Sequence, residues 1–441
     1  MLSAYLFDKL VNLPLSCHEY IYLKMSVFNV DYLLSKFKKD ERTMTETTKH
    51  KKKNRWLNGV VPAVLLTLPV GSVYAFSMFS GAFAEACKVP MTTMQWAFSL
   101  SIFFLGMGAA FFGPVVEKDP GKAGKIAGLL FTLGLCSTAV GVKYGSFWTV
   151  LAGYGVLNGL AQGIAYLSPV KALVMWFPKH KGLAASVSIV SFGLGSTLCT
   201  WLAEQMKCLG TSKTFVILAC IYAVMMAAGS LLIHKPEAAK SRELDSSAGF
   251  SYSSLMKDRM FWHSWLFMFL NISAGLALIG CSVSIFKDAG VDERMVVVLM
   301  MLAGVFNGSF RLVFAWASDF LKVRINMWLM ISLLSIAVMT CAGVWYAAFI
   351  GIAVLLMNST YGGGFSVCPA VLSDYYDNTM LSRVHGAVLS AWGIAGLIGN
   401  NMSQMVFKTT GHFWIVVWII VAMHAVNAVN MMFARKKFIS H

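Results

Sequence analysis

The sequence predicts an all-α membrane protein of twelve transmembrane helices arranged as two pseudo-symmetric six-helix bundles. Three observations carry that expectation. Of 441 residues, 57% are hydrophobic and 13% charged, whereas soluble domains keep roughly a quarter of their residues charged. Apolar runs of about 20 residues, the length needed to cross a bilayer, recur twelve times between positions 56 and 434. The longest polar gap between them, 235–259, divides the runs six and six.

In chain order the runs are 56–81, 92–116, 123–142, 147–172, 182–203, 214–234, 260–286, 295–317, 325–344, 346–370, 384–407 and 412–434. The halves they form echo each other. Gly113, Glu117, Lys118, Gly121 and Lys122 follow span 2, and Ala315, Asp319, Val323 and Arg324 follow span 8 at an offset of 202. Pro169 and Gly193 find counterparts in Pro369 and Gly393 at an offset of 200. Parallel repeats of this kind are the plan of two-bundle carriers that hold a solute at mid-membrane between the halves. The repeat therefore predicts bundles over 56–234 and 260–434, a linker over 235–259 and a tail over 435–441.

Charge sets the expected orientation. The chain has 36 Lys and Arg against 20 Asp and Glu, a net +16. The basic residues sit at span ends, so they are not a nucleic-acid footprint. With both termini placed in the cytoplasm, that side holds 27 Lys and Arg and the other side seven. The positive-inside rule favours this arrangement. Residues 1–55 contribute eleven of the 27 and end in KHKKKNR (Lys49–Arg55). They lack the apolar core of a signal peptide. They read as a cytoplasmic extension in which 1–43 precede an alternative start at Met44. The expected location is a plasma membrane or bacterial inner membrane, and the expected form is a monomer in the bilayer.

Nine cysteines are scattered without a CxxC pair. Neither a disulfide framework nor a metal site is expected, and no cofactor. No nucleophile–base pair or nucleotide motif points to an enzyme. GYGVLNG (Gly153–Gly159) lies in mid-span rather than after a strand, so its glycines are expected to serve helix packing rather than phosphate binding.

The residue that stands out is Arg311, within NGSFRLVFAWASD (Asn307–Asp319). Eight steps along the helix separate it from Asp319, which places it about 12 Å inside the water boundary at 1.5 Å per residue. An Arg in the bilayer centre costs from about 3 to more than 10 kcal/mol depending on the measure, so such residues face a cavity and a partner. The alternative is that Arg311 snorkels to the cytoplasmic interface. All Asp and Glu residues fall outside the spans or at their ends. A carboxylate proton relay is therefore not expected. Exchange, facilitated passage or proton entry with the solute itself fits better.

Several stretches resemble the major facilitator superfamily. GPVVEKDPGK after span 2 is similar to that family's loop signature of spaced Gly, acidic and basic residues. Here it comprises Gly113, Glu117, Lys118, Gly121 and Lys122, with Asp319 and Arg324 in the degenerate second copy. GSVYAFSMF (Gly71–Phe79), the run from Gly153 to Ser196 that includes Trp176–Gly182, LNISAGLALIG (Leu270–Gly280) and SAWGIAGLIG (Ser390–Gly399) resemble its oxalate/formate antiporter-like, monocarboxylate-type branch. The resemblance implies that Arg311 faces the central cavity and binds a substrate carboxylate. It also implies a second cation in span 11, where this chain has Trp392. One fixed charge suits one carboxylate better than two. Tyr74 and Ser77 in span 1, Gln162 and Tyr166 in span 4, and Trp392 are the further expected cavity residues, with interhelical packing as the competing role of each. Efflux of neutral or amphipathic solutes, and carboxylate sensing without transport, remain alternatives.

Overall fold

A computed structural model describes residues 55–112, 115–116, 119–177, 181–234, 252–376 and 381–439. These residues form helices and short connections, with no strand among them. We number the long helices α1 (Trp56–Cys87), α2 (Met91–Phe111), α3 (Pro120–Tyr144), α4 (Phe147–Val150, Leu151–Leu157 and Asn158–Trp176 in succession), α5 (Lys181–Gln205), α6 (Thr211–Leu232), α7 (Arg259–Ile279), α8 (Glu293–Ser318), α9 (Ile325–Val344), α10 (Tyr346–Ser373), α11 (Leu381–Thr410) and α12 (Trp414–Ile439). Eleven of them contain a stretch long and apolar enough to cross a bilayer. The exception, α11, has 30 residues, but buried Asn400, Ser403 and Gln404 lower its hydropathy.

Local chemistry sets the ends and interruptions. Asp119 caps α3 by accepting the Lys122 N–H, with Pro120 in the first turn, where its missing N–H costs nothing. Asp258 and Asp292 cap α7 and α8 in the same manner. The expected span 7, 260–286, is instead broken at Gly280 and Cys281, beyond which Ser282–Asp288 forms a separate short helix. In α1, Pro69 sits inside the helix and is followed by a tightened turn over Gly71–Ala75. Proline removes one hydrogen bond and crowds the preceding turn, and the tightened turn carries Tyr74.

Helices α1–α6 pack on one another, as do α7–α12, and the two sets meet chiefly along α2–α11 and α5–α8. Both meeting lines depend on facing glycines. A Cβ on Gly106 of α2 would fall 2.2 Å from the Gly393 nitrogen of α11, and one on Gly193 of α5 would fall 2.4 Å from the Gly308 Cα of α8. Small residues at such crossings let backbones touch. These four glycines follow the offsets read from the sequence, 202 for Gly106 and Gly308 and 200 for Gly193 and Gly393. The two contacts are thus exchanged by the pseudo-symmetry. Hydrogen bonds join the sets as well. Gln95 Nε2 donates to the Gly280 carbonyl at 3.1 Å, Asn400 Nδ2 donates to Ser99 Oγ at 3.0 Å, and Thr197 Oγ1 donates to the Met301 carbonyl at 2.9 Å.

Candidate functional site

Arg311 lies where the two sets meet and is 0% exposed. Burial to that degree excludes snorkelling to water. Four residues earlier on the same face of α8, Asn307 Oδ1 accepts from Arg311 Nε at 3.1 Å and from Nη2 at 2.9 Å. Nη1 has no hydrogen-bond partner. Among the described residues no carboxylate pairs with this guanidinium. Ring faces are among its other neighbours: the Arg311 Cζ lies 5.7 Å from the Phe192 centroid and 5.4 Å from that of Phe365. Cation–π contacts of this kind contribute roughly 0.5–2 kcal/mol each. They offset only part of the cost of a buried charge.

Aromatic side chains from five helices close around this group. The Trp392 ring packs 4.6 Å from Phe365, 5.5 Å from Tyr166 and 5.8 Å from Phe192, centroid to centroid. Tyr74 of α1 and Tyr361 of α10 share a hydroxyl–hydroxyl hydrogen bond of 2.7 Å, and Tyr74 also packs edge-on against Phe192. The hydroxyls of Tyr74, Tyr166 and Tyr361 lie near the guanidinium, that of Tyr74 close enough for a polar contact. Arg311, Trp392, Tyr74 and Tyr166 are therefore brought together. Gln162, one turn before Tyr166, is buried with Oε1 unpartnered. Ser77 is placed elsewhere: it contacts Met300 Sδ at 3.8 Å, eleven residues before Arg311. Phe76 stacks on Phe98 and belongs to the packing between α1 and α2.

Asn307, Phe192, Asn358, Tyr361 and Phe365 were not singled out from the sequence. Only Asn307 carried a usable signal, its spacing of four from Arg311. Asn427 and Asn430 of α12, spaced for one helix face, bond the Phe267 and His263 carbonyls of α7, which is packing.

At the helix ends, Gly113, Glu117 and Lys118 of the loop signature lie outside the described residues. Gly121 packs against the end of α6, where an added Cβ would come 3.2 Å from the Ile233 carbonyl. In the second copy, Arg324 bridges Asp319 at 3.4 Å and also pairs with Asp374 at the end of α10. Burial pushes the Asp374 carboxyl up from its usual range, and the Arg324 charge opposes that. No cluster of His, Cys, Asp or Glu suited to a metal occurs among the described residues.

Two sets of membrane-length helices meeting over a buried cation fit the architecture of a membrane transporter. The chain belongs to the Major Facilitator Superfamily, whose family model matches residues 62–400. It is 27% identical over 361 residues to "Uncharacterized MFS-type transporter YhjX" of Escherichia coli, covering 80% of this chain and 88% of that one. It is 23% identical to the "Oxalate:formate antiporter" of Oxalobacter formigenes, covering 81% and 86%. It is 21% identical to "Apicoplast pyruvate carrier 1" of Toxoplasma gondii, covering 75% and 73%. Among solved structures, the xylose transporter XylE from E. coli in a partially occluded inward open conformation matches with a TM-score of 0.64. That match has 14% identity and covers 85% of this chain and 97% of that one; it speaks for the fold alone.

Proposed function

We propose that this transporter is a secondary carrier of small organic anions, with monocarboxylates as the best-fitting class. The observation that carries the reading is Arg311, fully buried, without a carboxylate partner among the described residues and with Nη1 unused. A guanidinium offers carboxylates a planar pair of donors, so a bound substrate would supply the missing counter-charge. The activities for which two relatives are named, oxalate:formate exchange and pyruvate carriage, support a carboxylate substrate. Alternating access by rocking of bundles 56–234 and 260–434 about this site completes the proposal, with exchange as the favoured mode.

The test is uptake of labelled C1–C4 carboxylates by proteoliposomes containing the purified chain, with and without carboxylate inside. Saturable uptake accelerated by internal carboxylate is the expected result. Movement of neutral solutes with no carboxylate uptake overturns the reading.

Trp392 sets the expected charge preference. Oxalate should bind worse than monocarboxylates, because its second carboxylate meets an indole. Trp392→Lys should shift the oxalate-to-acetate ratio of apparent affinities by about tenfold toward oxalate, since an added cation offsets the second charge. An unchanged ratio would remove Trp392 from the pocket.

The proposed orientation puts both termini in the cytoplasm. In a cysteine-free background, Lys240→Cys should react with impermeant maleimide only from the cytoplasmic side and Lys207→Cys only from the outside. The reverse pattern would invert the topology.

A further inference from the structure

We infer that Asn307 is a positioning residue that holds Arg311 by its Nε–Nη2 edge and leaves the Nη1–Nη2 end for a single carboxylate. The inference rests on the anion-carrier reading above and specifies how that site takes its ligand. A guanidinium carries five N–H groups in one plane and two edges that can grip a carboxylate. One edge is occupied, because the same Asn307 oxygen accepts from both Nε and Nη2. The outward N–H of Nη2 and both hydrogens of Nη1 lie at the other end, and Nη1 is unpartnered.

The orientation of Asn307 is itself fixed. Its Nδ2 donates to Asn358 Oδ1 at 3.3 Å, and Asn358 Nδ2 donates to the Val354 carbonyl at 2.9 Å. A backbone carbonyl can only accept. Asn358 must therefore turn its amide nitrogen to Val354 and its oxygen to Asn307, and Asn307 must turn its oxygen to Arg311. The chain of donors has one consistent direction, with both amides almost fully buried. From α10, Gly362 presses on the stem: a Cβ there would fall 2.5 Å from the Asn307 carbonyl, 3.0 Å from Arg311 Cγ and 3.2 Å from Nε. The guanidinium is thus held from two helices while its buried Nη1 keeps donors without a hydrogen-bond partner.

The residue type matters as much as the contact. An Asp at 307 would have the same shape, would accept the same two bonds and would cancel the charge of Arg311. The site would then have no need of an anion. Asn supplies the geometry of a carboxylate partner without its charge, and the net positive charge stays available to the substrate.

The experiment measures KM and maximal rate for acetate, pyruvate and L-lactate in proteoliposomes, with thermal stability of the substrate-free protein, for Asn307→Asp, Asn307→Leu, Arg311→Gln and Asn307→Asp/Arg311→Gln. Asn307→Asp should raise KM by about a hundredfold with an unchanged or raised melting temperature. Asn307→Leu, which removes the acceptor and keeps the charge, should raise KM by about tenfold. The double variant should bind no worse than Arg311→Gln alone. A merely structural Asn307 would tolerate the isosteric Asp and lose rate and melting temperature with Leu at constant KM. If Asn307→Asp keeps a KM near that of the parent while Arg311→Gln loses binding, the inference falls and the anion-carrier reading stands. If Arg311→Gln binds all three acids as the parent does, or the parent binds none of them, that reading falls and takes the inference with it.

Discussion

Replacing Arg311 with Gln should abolish carboxylate uptake while the protein still inserts, folds and purifies. The expectation follows from an imbalance in the resting site. The guanidinium is fully buried, has two hydrogen bonds to one amide oxygen and two ring faces, and has no carboxylate beside it among the described residues. Hydrogen bonds to a charged group contribute about 1.5–3 kcal/mol each, and desolvating an ion costs several kcal/mol even after relaxation. Gln removes the charge and retains an amide that can still bond to Asn307. The substrate-free variant should therefore melt at the same temperature as the parent or a few degrees higher. With substrate the order should reverse, because a ligand stabilises by about RT ln(1 + [L]/Kd) only the protein that binds it. Arg311→Lys keeps the charge but loses the planar fork. It should fall between the two, with KM raised about tenfold or more. Scanning calorimetry with and without millimolar carboxylate, paired with flux, checks both parts. Parent-like uptake by Arg311→Gln would leave the residue as a structural cation and remove the main support for an anion substrate.

The sequence made some of this legible and hid the rest for identifiable reasons. Span count survives reading by eye because crossing a bilayer requires a length and a hydropathy that few other segments share. Even α11, whose buried Asn400 and Gln404 make it the most polar crossing, shows an apolar frame around those residues. Ends were less legible. The sequence predicts span 7 through to 286 because Gly280 and Cys281 are compatible with a continuous apolar helix, whereas the structure breaks it there, where the Gly280 carbonyl accepts from Gln95 of α2. Arg311 was visible as a lone charge in an apolar run. Its partners on α5 and α10 were not, since Phe192, Tyr361 and Phe365 are ordinary residues for any membrane helix. Their assembly depends on which faces the bundles bring together. Asn307 was recoverable in principle from its i−4 spacing, but its role depends on Asn358, 51 residues away. Of the residues the offset repeat pairs, Gly193 and Gly393 lie where helices of opposite halves touch, and the same offset of 202 relates Gly106 to Gly308.

Those touching glycines carry the second large effect. Gly106→Val and Gly393→Val should each cut transport by about tenfold or more, and Gly193→Val and Gly308→Val should do the same at the symmetric crossing. At three of these positions a single added Cβ would already sit under 3.0 Å from backbone or from Leu194 Cγ; at Gly393 it would meet the Phe103 carbonyl at 2.9 Å and Met107 Cε at 2.7 Å. A branched side chain must push the helices apart, and overpacking of this sort typically costs about 1–3 kcal/mol. The position of the strain decides which property suffers. Both crossings lie between the two helix sets rather than inside either one, so each set keeps its own packing. Under the rocking proposal these crossings are the lines on which the bundles must roll, and a wedge there raises the barrier between access states. Flux should therefore drop much more than the melting temperature, and binding of substrate to Arg311 should weaken less than flux. Gly81 of α1 supplies the control, since nothing lies within 4 Å of an added Cβ there. Gly81→Ala should be neutral or stabilise by up to about 1 kcal/mol through helix propensity. Parallel losses of stability and flux in all four Val variants would assign the glycines to folding alone. Full transport by Gly106→Val together with Gly193→Val would mean that the two crossings are not the lines of motion.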